Sequence, residues 1–172
     1  MVNLPSIKER VRCVSIPTII LLSFLSCGRV EDKNIAKAVE EYYDTFKARE
    51  DFDKFISFYD DEVILEDVVN ADRIEGKRAL TEFFDWNNPN FEKGSTDTLV
   101  IYEQIIDGNK VVTRGYFTEF FWGGTEFEAM HFVTILTFNE SSKIIKQIDW
   151  INYPSNLIDY NNRRNSNHWI KK

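Results

Sequence analysis

The side chains that most often form metal sites are too few and too scattered in this sequence to do so. The two histidines, His131 and His168, lie far apart, and both cysteines, Cys13 and Cys27, lie near the N-terminal end. Zinc sites use closely spaced ligands, and no such spacing is present. We therefore predict no metal site. The chemistry considered below, proton transfer by carboxylates and hydroxyls, requires no cofactor.

Cys27 has the sequence context of a lipid attachment site. Basic residues between positions 8 and 12 precede an almost uncharged run over residues 13–25, the pattern of an export signal. This run is shorter than the roughly 20 residues that a membrane-spanning helix needs. Residues 24–28, Phe-Leu-Ser-Cys-Gly, resemble a bacterial lipobox. We expect a signal peptide over residues 1–26 and a lipid anchor that holds the protein to a membrane of the cell envelope, with a secreted or periplasmic protein as the alternative.

The charge balance argues against nucleic acid as a partner. The chain has 28 acidic and 21 basic side chains and a formal charge of −7, and a surface of this sign disfavours contact with phosphates. Its 172 residues, of which 43% are hydrophobic, suffice for one compact domain. We place that domain over residues 33–153, after a short linker over 27–32 and before a polar tail over 154–172.

The first half of the domain has the pattern of three helices. Apolar residues recur at three- and four-residue spacing over residues 33–48, and a shorter apolar stripe between Asp51 and Asp60 indicates a second helix. An extended run over residues 63–67 follows. Gly76 then begins a third helix, which ends before the Asn-Asn-Pro sequence that follows residue 86.

The second half of the domain has a residue composition typical of β-strands. Runs of β-branched and aromatic residues cover 98–106, 111–122, 127–138 and 144–153, and turn residues separate them. Four successive strands joined by short turns predict an antiparallel meander. Helices followed by strands are typical of the α+β class. We expect a curved antiparallel sheet that forms a cone, with the three N-terminal helices on its concave side.

Two segments carry a resemblance to a known superfamily. Residues 59–67, Tyr-Asp-Asp-Glu-Val-Ile-Leu-Glu-Asp, and residues 76–84, Gly-Lys-Arg-Ala-Leu-Thr-Glu-Phe-Phe, resemble the signature segment of SnoaL-like and ketosteroid isomerase-like proteins. The resemblance to this nuclear transport factor 2-like (NTF2-like) superfamily covers about residues 33–153. It implies a cone-shaped α+β barrel (NTF2-like, cystatin-like) with a small apolar pocket, and a homodimer. The scaffold hosts isomerases, cyclases, dehydratases, hydrolases and binding modules.

The resemblance also implies site residues. Aligned with ketosteroid isomerase, Asp67 falls on the general base, Tyr43 on the oxyanion-hole tyrosine and Thr134 on the second donor. Burial in an aromatic-lined cone raises the pKa of a carboxyl group and makes it available as a base near neutral pH. The alternative interpretations are structural: Asp67 as a strand-end residue that caps the next loop, and Tyr43 as an aromatic residue in the buried stripe of the first helix.

Strand alternation extends the candidate pocket. On the same alignment, the inward-facing residues are Phe117, Glu119 and Phe121 on one strand and Gln147, Asp149 and Ile151 on another. SnoaL-like cyclases are similar in using a strand-borne acidic residue for proton transfer, which makes Asp149 a second catalytic candidate. An outward position for Glu119 and Asp149 is the alternative. The same alternation turns His131 outward.

Two functions remain open from the sequence. The first is an isomerase, cyclase or lyase that moves a proton on a small hydrophobic carbonyl compound, with Asp67 as base and Tyr43 as electrophilic donor. The second is a noncatalytic module of the same fold that binds a small hydrophobic molecule or another protein.

Overall fold

A computed structural model describes residues 25–154, 157 and 158, and within residues 25–32 it describes the backbone alone. The first 24 residues of the predicted signal peptide, most of the predicted tail and the side chain of Cys27 lie outside the described residues. No helix in the described part of the chain is long and apolar enough to span a membrane.

The described part contains three α-helices and nine strands. The helices are α1 (Leu25–Ala48), α2 (Phe52–Ser57) and α3 (Lys77–Phe84). The strands are β1 (Tyr59–Asp67), β2 (Asp72–Glu75), β3 (Phe91–Lys93), β4 (Leu99–Asp107), β5 (Lys110–Phe117), β6 (Phe120–Trp122), β7 (Thr125–Phe127), β8 (Met130–Phe138) and β9 (Ile144–Ile151).

Six of the strands form one curved, open sheet in the order β2-β1-β9-β8-β5-β4. Strands β4, β5, β8 and β9 are antiparallel neighbours, as the predicted meander requires, and the α+β class is confirmed. The prediction of an antiparallel sheet is wrong at one position, because β1 pairs with β9 in parallel. The chain returns from β8 through a short turn and so brings β9 alongside β1 in the same direction.

Several element boundaries differ from the predicted ones. Helix α1 begins at Leu25 rather than near residue 33 and includes residues 27–32, which were expected to form a linker. The two longest predicted strands are interrupted, at residues 118–119 and 128–129. The segments beyond these interruptions, β6 and β7, leave the main sheet and pair with β3 and with each other. A run of aromatic and β-branched residues indicates extended chain but does not show where the chain changes sheets.

The helices cover one face of the main sheet with a mostly aromatic core. Ile35, Val39, Tyr42 and Tyr43 of α1 are at most 3% exposed, which is the buried stripe of an amphipathic helix. At α2, the carboxylate of Asp51 accepts a hydrogen bond from the backbone N–H of Lys54 (2.9 Å), a helix N-cap. A cluster of rings then fills the space between helices and sheet: Tyr42, Phe46, Phe55, Tyr59, Phe84 and Trp86.

Candidate functional site

Four polar side chains form a row across the sheet face that the helices cover. The strand registers place Asp67 beside Asp149, Asp149 beside Thr134, and Thr134 beside Thr113. Each of the four residues is buried. A row of polar groups inside an apolar core is costly unless every member has a hydrogen-bond partner. Sequence reasoning identified three of the four; Thr113 follows from the same alternation that places Phe117 inward.

This row faces a cavity of about 90 Å³, here called the inner cavity. Asp67, Thr134 and Asp149 line it from the sheet, and Tyr43 lines it from α1. The rest of its wall consists of Tyr42, Phe46, Phe83, Phe84, Phe117, Phe132, Gln147, Ile151 and Tyr153. The structure therefore brings the predicted residues Tyr43, Asp67, Phe117, Thr134, Gln147 and Asp149 to one place.

Asp149 lies at the centre of the row and receives two hydrogen bonds. The hydroxyl of Thr134 donates to its Oδ1 (2.6 Å), and Nε2 of Gln147 donates to its Oδ2 (2.8 Å). Burial raises the pKa of Asp149 to about 6, although these two hydrogen bonds lower it, and the negative charge of Asp67 raises it further. At neutral pH the group is largely ionised and yet basic enough to accept a proton.

A chain of hydrogen bonds continues from Asp149 into the core. Oε1 of Gln147 accepts from the hydroxyl of Tyr59 (2.7 Å) and, at 3.4 Å, from that of Tyr42. The two tyrosine hydroxyls are 2.8 Å apart. The tyrosines fix the orientation of the Gln147 amide, so that its N–H group points to Asp149. Neither tyrosine was singled out as a site residue, because nothing in the spacing indicates that both hydroxyls meet one amide.

Asp67 is held by the loop that follows its strand. Its Oδ1 accepts hydrogen bonds from the backbone N–H groups of Val69 and Asn70 (both 3.0 Å), and its Oδ2 accepts from the hydroxyl of Tyr153 (2.5 Å). Burial raises the pKa of Asp67, and these three hydrogen bonds oppose the shift. The geometry fits the structural interpretation of Asp67 as the cap of the β1–β2 turn. Tyr153 was missed, but alternation carried two residues past Ile151 points to it.

The hydroxyl of Tyr43 is buried and, among the described residues, has no hydrogen-bond partner of good geometry. Burial raises the pKa of Tyr43 strongly; the nearby hydroxyls of Thr113 and Thr134 oppose this shift, and the negative charge of Asp149 adds to it. Buried hydroxyls without a partner are uncommon in folded proteins. The Tyr43 hydroxyl therefore remains available as a donor to a group that enters the inner cavity.

Two predicted pocket residues, Glu119 and Phe121, do not line the inner cavity. Glu119 is exposed, and Phe121 lines neither the inner cavity nor the second cavity described next. The cause is the interruption of the strand at residues 118–119, after which the alternation no longer continues from Phe117. Phe120 takes the inward position instead.

A second cavity of about 210 Å³, here called the outer cavity, adjoins the first. The two cavities share four wall residues: Phe46, Phe117, Ile151 and Tyr153. The remaining wall of the outer cavity consists of Arg49, Phe91, Lys93, Thr98, Thr118, Glu119, Phe120 and Met130. Together the cavities reach the lower end of the range of roughly 300–1,000 Å³ that is usual for small-molecule pockets.

The structure gives no candidate metal centre among the described residues, since no three His, Cys, Asp or Glu side chains are grouped to hold an ion. His131 lies on the opposite face of the sheet, where its ring packs near those of Tyr102 and Tyr116.

A family model described as a SnoaL-like domain matches residues 39–147. The matched segment includes Tyr43, Asp67, Thr134 and Gln147 and ends two residues before Asp149. Among curated protein sequences, none matches the chain.

Solved structures share the fold at low sequence identity. An NTF-2 like protein of unknown function from Burkholderia xenovorans LB400 is 18% identical, with a TM-score of 0.55, over 83% of this chain and 98% of the other. A protein from Shewanella putrefaciens CN-32 that is assigned to the SnoaL-like polyketide cyclases is 19% identical, with a TM-score of 0.58, over 69% and 89%. An LEH-like epoxide hydrolase from M. tuberculosis is 20% identical, with a TM-score of 0.56, over 69% and 83%. Likeness at this level shows the fold alone.

Proposed function

The chain belongs to the family of SnoaL-like domains, and from this premise we propose that it transfers a proton on a small hydrophobic carbonyl compound bound in the inner cavity. The reaction class is that of an isomerase, cyclase or lyase and needs no cofactor. The observation that carries the proposal is the pairing, in one apolar cavity, of a carboxyl group of raised pKa with a tyrosine hydroxyl that has no partner.

Asp149 is the base in this proposal. With a pKa of about 6 it combines a large ionised fraction at neutral pH with appreciable basicity, the compromise that general-base catalysis requires. Thr134 and Gln147 hold the carboxylate in one orientation. A proton removed from the carbon next to the carbonyl would pass to Asp149, leaving an enolate, and the Tyr43 hydroxyl would donate a hydrogen bond to the enolate oxygen.

Asp67 is less suited than Asp149 to accept a proton from the substrate. Its Oδ1 is occupied by two backbone N–H groups of the turn, and its Oδ2 by Tyr153. Its negative charge lies near Asp149 and raises the pKa of that neighbour. We therefore propose a pair in which Asp149, the second candidate from the sequence, accepts the proton and Asp67, the first candidate, adjusts its basicity.

The test is deuterium exchange at the carbon next to the carbonyl of small cyclic ketones, followed by proton NMR in heavy water. Asp149→Asn keeps the shape of the side chain but not its basicity, so the exchange rate should fall roughly 10²-fold or more. Tyr43→Phe removes the oxyanion donor and should lower the rate by about 10-fold or more. Tyr116→Phe, on the far side of the sheet, is the control and should leave the rate unchanged. Exchange that is equally fast in Asp149→Asn would refute the proposal.

A noncatalytic ligand-binding module is the second candidate, and a specific observation favours it. All four carboxylate oxygens of Asp67 and Asp149 already accept hydrogen bonds from the protein, and the inner cavity alone is small for an organic substrate. Native mass spectrometry of the purified chain separates the two candidates. A co-purifying small molecule that survives Asp149→Asn, combined with no ketone exchange, would favour binding without catalysis.

The cellular location and the oligomeric state are proposals of the same kind. We propose that the protein is anchored at the cell envelope through a lipid on Cys27, on the strength of the lipobox-like sequence. We also propose a homodimer. The exposed side chains of Tyr102, Ile105 and Trp150 on the main sheet support it, because large exposed apolar groups often mark an interface.

A further inference from the structure

The outer cavity is lined by a cation that forms no salt bridge with a carboxylate of the described residues. The guanidinium of Arg49 lies over the ring of Phe91, at 4.0 Å from the ring centroid, and near that of Trp86, at 5.1 Å. Its Nε is buried and has no hydrogen-bond partner. Among the described residues, no carboxylate lies within 4 Å of the guanidinium, and none accepts a hydrogen bond from it.

The partial burial of Arg49 shifts its pKa. It lowers the pKa of Arg49 to about 10, and the more distant negative charge of Asp85 only partly opposes the shift. Charged groups that lose water are normally paired, because an unpaired buried charge is costly. Stacking on aromatic rings recovers part of this cost, but no described residue accepts a hydrogen bond from the N–H donors at the edge of the guanidinium.

The backbone at Arg49 is also unusual for its residue type. Arg49 follows the last residue of α1 and has a φ of 52°, in the left-handed region where glycine is the common choice. Its N–H group donates to the carbonyl of Thr45, and its left-handed φ ends the helix. A glycine would adopt this φ with less strain, so the backbone conformation alone does not explain an arginine at this position.

The surroundings define which ligand would fit. Apart from Arg49, the wall is mostly apolar and aromatic, with Phe91, Phe117, Phe120, Met130 and Ile151. Lys93 adds positive charge, although its ammonium group already donates to the carbonyl of Ala48. Glu119 adds one negative charge at the exposed side. One uncompensated guanidinium in an apolar cavity suits a singly charged anion with an apolar body.

We propose that the outer cavity binds a small organic monocarboxylate, whose carboxylate pairs with the guanidinium of Arg49 and whose apolar body packs against Phe91, Phe117 and Met130. A planar carboxylate matches the fork of N–H donors on a guanidinium. This binding site does not depend on proton transfer, since Asp149 does not line the outer cavity. If a substrate occupies both cavities, the carboxylate would hold its far end.

The test compares phenylacetate with its neutral isostere phenylacetamide by two-dimensional NMR titration of the full-length chain. Phenylacetate should shift the backbone signals of residues around the outer cavity and bind about tenfold or more tightly than phenylacetamide, because a charged hydrogen-bonded pair is lost in the amide. Arg49→Met, which keeps an apolar side chain of similar length, should abolish that preference while phenylacetamide still binds.

The controls separate the charge of this site from charge in general. Arg114→Met removes an arginine that likewise stacks on a ring, that of Tyr102, but lies outside both cavities, and the preference should persist. Asp149→Asn should preserve the preference for phenylacetate over phenylacetamide, because Asp149 does not line the outer cavity. Equal affinity of the wild-type chain for acid and amide, or an undiminished preference in Arg49→Met, would overturn the proposal.

Discussion

Asp67 and Asp149 are adjacent in strand register, and their different hydrogen-bond partners give them different properties. Asp67 accepts from two backbone N–H groups and a tyrosine, whereas Asp149 accepts from a threonine and an amide side chain. Neighbouring carboxyl groups in a dry site do not ionise independently, because each negative charge disfavours the other. The pair is therefore best understood as one proton-holding unit in which burial raises the pKa of both carboxyl groups, that of Asp149 to about 6.

The raised pKa of Asp149 predicts a characteristic dependence of stability on pH. The folded protein holds the proton up to about pH 6, whereas the unfolded chain releases it near the ordinary aspartate value of about 3.9. Between these values the folded state binds more protons, so the free energy of unfolding falls as pH rises. Relative to Asp149→Asn, the free energy of unfolding of the wild-type chain should fall by up to about 3 kcal/mol between about pH 4 and pH 7.

Urea unfolding of both chains across this range measures the effect. The Asn side chain can still accept from Thr134, and the Gln147 amide can turn so that its N–H group donates to the tyrosine hydroxyls, so the variant should remain folded. The raised pKa would be contradicted if the difference in the free energy of unfolding between wild type and variant stayed constant with pH. It would also be contradicted if the wild type became more stable relative to the variant as pH rises.

The site residues that could be predicted are those that alternation and the resemblance fix. Their inward position follows once the buried face of each strand is known, as for Phe117, Thr134, Gln147 and Asp149. Arg49 could not be predicted, because its importance lies in a missing partner, and a sequence does not show which charges go unpaired. The inward position predicted for Phe121 was wrong, because the two residues between β5 and β6 interrupt the strand alternation.

The elements that support the polar row depend on a close approach of two strands. Gly115 of β5 lies opposite Ile101 of β4 and opposite Phe132 of β8. A Cβ at Gly115 would lie 2.2 Å from the carbonyl oxygen of Val100 and 3.0 Å from the ring of Phe132. The first neighbour is backbone and cannot move without disturbing the sheet.

Gly115→Ala should therefore destabilise the protein by about 2 kcal/mol or more, as overpacking in a rigid core does. Gly108→Ala is the matched control, because Gly108 has a φ of 56° but a Cβ added there would meet no atom within 4 Å. Gly108→Ala should lower the free energy of unfolding by only about 1 kcal/mol, because a side chain in the left-handed region adds strain. Chemical denaturation of the three chains measures both values, and equal losses would show that the β4–β5 contact is looser than these distances imply.

The order of elements was more predictable than their partners. The periodicity of 3.6 in α1 and the alternation in β8 are local properties, and both are visible in the sequence. The parallel pairing of β1 with β9 joins segments about 80 residues apart, and local pattern contains no information about such pairs. Strands β2 and β3 were missed because they are short and carry charged residues.

At the scale of the whole molecule, the fold places the two cavities in series along one face of the sheet. Tyr153 belongs to both walls, and its hydroxyl bonds Asp67. Asp67 and Asp149 line the inner cavity, whereas Arg49 lines the outer one together with Lys93 and Glu119. The formal charge of −7 disfavours anions in general, so in our proposal it is the local positive charge of Arg49 that attracts an anionic ligand to the outer cavity.

Attachment of the whole molecule to the cell depends on Cys27 in our proposal. If Cys27 is lipidated, Cys27→Ser should abolish incorporation of a labelled fatty acid and move the protein out of the membrane fraction. Stable attachment needs more than one acyl chain, and losing the modified cysteine removes all of them.

Cys13→Ser is the matched control for this experiment. Cys13 is the other cysteine of the chain and lies within the predicted signal peptide, so its substitution should change neither the label nor the membrane recovery. Intact mass of the wild-type protein should also correspond to a chain that begins at Cys27 and carries lipid. Labelling and membrane recovery that persist in Cys27→Ser would refute Cys27 as the lipid attachment site.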